Sequence, residues 1–136
     1  MNMKTSGLAC IYALVFATPA FAVGYSTGHG GGGDLQGAES IAAQYNNSGE
    51  QFRIRGRCLS SCTVFLSIRN VCIEPSARLG FHAGPTMIST ARMEAAYNQK
   101  LRSHLGSVGA MQSRNYYFLS AGDLTARFGY KACPRN

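Results

Sequence analysis

Acidic side chains are scarce: six Asp and Glu stand against thirteen Lys and Arg, a formal net charge of +7 over 136 residues. That balance excludes an acidic, solvating chain and suits attraction to nucleic acid, anionic lipid or an anionic envelope polymer. The basic residues are scattered, however, except at Arg53, Arg55 and Arg57. These alternate with Phe52 and Ile54, as the solvated face of a strand would, so no specific nucleic-acid site is expected. Apolar runs of bilayer length are also missing. The stretch Leu8 to Ala17 is shorter than the roughly 20 residues a spanning helix needs. No internal repeat is visible, which excludes a solenoid.

The N-terminus reads as a cleaved export signal over residues 1–22. Lys4 supplies the positive start, Leu8 to Ala17 the apolar stretch, and Ala20-Phe21-Ala22 a small-x-small cleavage site. Cys10 fits a lipoprotein poorly because it precedes most of the apolar stretch, and a retained anchor and a lipoprotein stay as the alternatives to cleavage. Cleavage after Ala22 leaves one domain over residues 23–136, large enough for a single core and destined for the periplasm or the outside. Cys58, Cys62, Cys72 and Cys133 remain, an even number that favours disulfides in an exported chain. Three pairings are open. Only the Cys58/Cys62 spacing resembles a metal knuckle and no second one follows, so neither a metal nor a cofactor is expected.

Along residues 23–136, the turn-like glycine run Gly30–Gly33 precedes a helical pattern in which Leu35, Ala38, Ile41, Ala42 and Tyr45 share a face. Asp34 caps its start, and Asn46-Asn47-Ser48-Gly49 stops it. Residues 51–57 alternate as a strand, and Ser60 opens an apolar segment to Ile68 that reads as a buried helix. Val71-Cys72-Ile73 and Leu79 to His82 read as strands. Ser89 to Leu105 is helical, with Met93, Ala96, Tyr97 and Leu101 as its packing face. Ser120 and Asp123 form a capping box for a last helix ending near Gly129. This alternation predicts an α/β layered domain.

Two residues suggest chemistry. Ser60 lies where a strand gives way to a helix, inside Cys58-Leu59-Ser60-Ser61-Cys62, and His82 closes Leu79-Gly80-Phe81-His82. A serine, a downstream histidine and an upstream glycine turn offering amides are the parts acyl transfer needs. Each part also has a plain reading: a helix N-cap, a buried hydrogen-bonded histidine, a linker.

Those segments, with Gly32-Gly33-Asp34-Leu35-Gln36-Gly37-Ala38 and Phe118-Leu119-Ser120-Ala121, resemble the superfamily of the Clp protease proteolytic subunit and the crotonases. The likeness is greatest to its exported bacterial branch, which carries a serine between two cysteines and a Gly-x-His strand end. It spans Gly32 to Gly129 in the same order. The resemblance implies Ser60 as nucleophile, His82 as general base, and the amides of Gly33 and Ser61 as oxyanion hole. Where the peptidase has an aspartate to orient the histidine, this chain has Asn115, Tyr116 and Tyr117, which leaves Asn115 to hold the imidazole. Asp123, the nearest acid, is accounted for as a cap. The strand before the glycine turn is nearly absent, so the expected fold is a small, truncated crotonase-like domain whose open sheet edge invites a second copy. The expected function is an exported serine hydrolase acting on peptide or another acyl substrate. The alternatives are a non-catalytic binding or assembly domain and an envelope-binding protein using the arginine strand.

Overall fold

Short strands and helices are interspersed from Gly24 onward in the computed structural model, which describes residues 13–16 and 22–135. The expected export signal lies outside the described residues, apart from 13–16 and 22. Among the described residues no helix is long and apolar enough to cross a membrane. The two-residue strand β1 (Gly24–Tyr25) leads through the glycine turn to helix α1 (Leu35–Ser48). Asp34 Oδ1 accepts the Gly37 N–H at 2.8 Å, and left-handed Gly49 closes the far end on the Tyr45 carbonyl. Ala38 and Ala42 turn inward on the face the periodicity marks.

The strand expected over residues 51–57 is two strands in two sheets. β2 (Phe52–Ile54) and β3 (Arg57–Leu59) are separated by a turn at Arg55-Gly56. β2 lies between β1 and β4 (Val71–Ile73), all parallel. β3 pairs in parallel with β5 (Arg78–Phe81), which pairs antiparallel with β6 (Tyr117–Ser120). The alternation misled because all three β2 residues are buried. Arg53 is buried among them because Glu74 accepts from its Nε at 2.9 Å and the Pro134 carbonyl from its Nη2 at 3.1 Å. Arg55 instead lies over the Tyr25 ring, 4.0 Å from its centroid. No continuous arginine face exists.

Two expected helices also change. The segment after Ser60 is a 3-10 helix, Ser60–Ser67, buried from Ser61 to Leu66. Thr63 and Ser67 return hydroxyl bonds to the carbonyls three residues back, at 2.6 and 2.8 Å, which favours the tighter winding. The single helix expected over 89–105 is α2 (Met87–Ala95) and α3 (Gln99–Ser107). Asn98 breaks the pattern, since its side chain accepts the Leu101 N–H and starts a new helix. Met93, Tyr97 and Leu101 are buried as their spacing implied. The capping box of Ser120 and Asp123 starts α4 (Ala121–Ala126).

The cysteines pair as Cys58–Cys62 and Cys72–Cys133. The second bridge, with Cys133 N–H on the Ile73 carbonyl at 2.9 Å, ties the C-terminal segment to β4. Closing so long a loop stabilises by about 4 kcal/mol in the chain-entropy account. Phe52, Phe65, Ile54, Ile73, Leu79 and Phe81 fill the core between the two small sheets and the helices.

Candidate active site

Ser60 and His82 meet because β3 and β5 run in parallel. Their register sets Leu59 beside Gly80, so Ser60 leaves one strand end next to the point where His82 leaves the other. The Ser60 hydroxyl lies 2.8 Å from His82 Nε2. His82 Nδ1 lies 3.2 Å from the Arg114 carbonyl. A carbonyl only accepts, so Nδ1 carries the proton and Nε2 is left to accept from the serine hydroxyl. That is the tautomer a general base requires. The ring also stacks on Tyr116, with centroids 4.5 Å apart.

Among the described residues Ser60 is the one non-glycine residue with positive φ, at 54°. A side chain held there costs of order 1–3 kcal/mol, so its surroundings must enforce it. Three features do so. The Cys58–Cys62 bridge brackets the residue. The Gly30 carbonyl accepts the Leu59 N–H at 2.8 Å, docking the glycine turn on β3. Beneath it, Thr63 Oγ1 donates to the Ser60 carbonyl and receives the Tyr97 hydroxyl, both at 2.6 Å. The linker reading of Gly30–Gly33 does not survive this docking: a Cβ on Gly32 would stand 2.6 Å from the Leu59 carbonyl oxygen and 2.8 Å from Ser60 Cβ. Gly80 is as constrained, since a Cβ would meet Leu59 Cδ2 at 2.6 Å and the Tyr116 ring at 3.1 Å.

Ser60, Ser61, His82 and Gly33 line one cleft of about 380 Å³, together with Gly84, Met93, Arg114 and Tyr116. The Gly33 amide has no protein acceptor among the described residues. Ser61 is in the first turn of the 3-10 helix, where amides lack partners within the helix. Gly33 and Ser61 therefore share the cleft with the serine hydroxyl. The expectation for Asn115 is corrected: it is exposed, its main-chain N–H donates to Ser113 Oγ, and the neighbouring Arg114 carbonyl accepts the hydrogen bond from the imidazole Nδ1–H. Asp123 stays at its cap, far from this role. The Ser120 amide, then Arg127 and the Ser120 hydroxyl, hold its carboxyl below the ordinary range.

Sequence reasoning missed Thr63, Tyr97 and the Arg114 carbonyl. Tyr97 was visible only as a packing residue, and a main-chain acceptor leaves no trace in side-chain identity. Burial raises the Tyr97 phenol well above its ordinary value, outweighing the opposing hydrogen bond to Thr63. The folded protein thus retains the Tyr97 proton where the unfolded chain loses it. Stability from this group is complete below about pH 10 and declines as pH rises further. Tyr97→Phe is expected to cost about 1–2 kcal/mol near neutrality, through the lost buried bond. It should also flatten the decline above pH 10. Urea unfolding at pH 7 and at alkaline pH measures both; an unchanged alkaline slope in the variant would assign the decline to other groups, such as Tyr130, which burial also raises.

A scan against protein-family models finds no match to this chain, and neither does a search of the curated proteins.

Proposed function

We propose that the chain is an exported serine hydrolase of the peptidase kind, built as a small crotonase-like domain. The observation that carries this reading is the 2.8 Å contact between the Ser60 hydroxyl and a histidine nitrogen free to accept, inside a cleft that Gly33 and Ser61 also line. Ser60 Oγ would attack the acyl carbon while His82 Nε2 takes its proton. The Gly33 and Ser61 amides would hold the developing oxyanion, where fixed donors contribute most. The imidazolium then protonates the leaving group as the bond to it breaks. Water then attacks the acyl carbon while giving a proton to His82, and the imidazolium returns that proton to Ser60 Oγ as the ester bond breaks, which releases the acid and restores the serine. Two disulfides suit an oxidising compartment and so support export.

A second reading, a binding or assembly domain on the same scaffold, is favoured by one observation. The Arg114 carbonyl at Nδ1 is neutral and stabilises an imidazolium less than a carboxylate would. Self-association would use β6, an edge strand with Phe118 exposed. A fluorophosphonate probe separates the two readings. The hydrolase reading expects labelling at Ser60, fluoride leaving as the oxygen–phosphorus bond forms, and none in Ser60→Ala. A folded chain that resists the probe while still self-associating or binding a partner would establish the second reading instead.

A further inference from the structure

We infer that the cleft selects acyl substrates carrying a free carboxylate, which Arg114 binds; this rests on the hydrolase reading. Arg114 lines the cleft beside Ser60 and His82. Its Nη1 donates to the Ala83 carbonyl at 3.0 Å, and Ala83 lies between the cleft residues His82 and Gly84. The guanidinium is therefore held by one donor to the main chain next to His82, and the rest of its fork has no hydrogen-bond partner among the described residues.

No aspartate or glutamate lines the cleft to consume that charge. The ion pairs among the described residues commit Glu74, Glu39 and Asp123 to Arg53, Arg92 and Arg127. Asp34 caps α1. Competing donors on the same wall are also taken. Ser89 N–H goes to Thr86 Oγ1, Thr86 N–H to Ser89 Oγ, and Gly84 N–H to Thr90 Oγ1. Among the residues lining the cleft, Arg114 is the one Lys or Arg side chain. Its planar fork matches a carboxylate through paired N–H bonds, a fit an ammonium lacks. A chain-terminal carboxylate and an Asp or Glu side chain offer the same chemistry.

Two alkyl fluorophosphonates of equal length test this on the full chain, one ending in a carboxylate and one in a carboxamide. Ser60 is expected to react at least about tenfold faster with the first, the equivalent of about 1.4 kcal/mol. Arg114→Gln, which keeps the main-chain carbonyl, should bring the ratio of rates close to one, and Arg114→Lys should restore part of it. Taking a ratio cancels any general loss in the variants. Equal rates in the unaltered protein overturn the carboxylate preference and leave the hydrolase reading intact. Failure of both probes to label overturns the hydrolase reading and the preference with it. Protection by N-acetyl-Ala-Ala identifies a chain terminus as the source, and protection by N-acetyl-Ala-Glu-amide a side chain. Protection by neither contradicts the proposal.

Discussion

For the proposed hydrolase, replacing His82 by alanine is expected to slow acylation of Ser60 by at least about a thousandfold. Loss of the base in a serine–histidine unit reaches about a millionfold in a full triad enzyme. The smaller figure applies here because the imidazole is supported by a neutral carbonyl, so less is lost with it. Asn115→Ala should leave the rate within about twofold, because the imidazole is held by the Arg114 main chain. Stopped-time labelling with the neutral fluorophosphonate measures both. A slow His82→Ala beside an unaffected Asn115→Ala is the expected pattern. A comparable loss in both variants would restore Asn115 to the site and contradict the geometry.

Gly32→Ala is expected to have the second large effect, on stability and on labelling together. The added Cβ collides with a backbone oxygen at 2.6 Å, so no flexible side chain can yield. The positive φ of 72° adds a local penalty of about 1–2 kcal/mol. Overpacking adds about 1–3 kcal/mol, so the sum is a substantial part of the stability of a small domain. The second contact, Ser60 Cβ at 2.8 Å, transmits any residual shift to Ser60. Gly33→Ala supplies the contrast, since its Cβ meets nothing within 4 Å and only the φ of 94° is strained. Chemical denaturation should rank Gly32→Ala well below Gly33→Ala; equal losses would mean that the turn is not docked on β3.

Both effects depend on residues that the amino-acid sequence already sets apart. The glycine turn, the cysteine-flanked serine and the Leu-Gly-Phe-His segment stand out because each has a residue type with few substitutes. α1, β4 and the α4 cap were legible because periodicity, Asp34, Gly49, Ser120 and Asp123 act locally. The strand over 51–57 was misjudged for a non-local reason: Arg53 is buried by partners at Glu74 and Pro134, which lie 21 and 81 residues away. The 89–105 segment was misjudged because the apolar stripe continues through the break at Asn98.

The chain's residue order therefore determined which groups are available for chemistry and which short segments form by themselves, since propensity, capping and periodicity act over a few residues. Only the tertiary structure decided that Ser60 and His82 touch, through the parallel register of β3 and β5. It also decided the cysteine pairing and gave the imidazole a main-chain acceptor in place of Asn115. Those outcomes follow from pairing between distant segments, where the energy belongs to burial and hydrogen bonds that no single stretch contains.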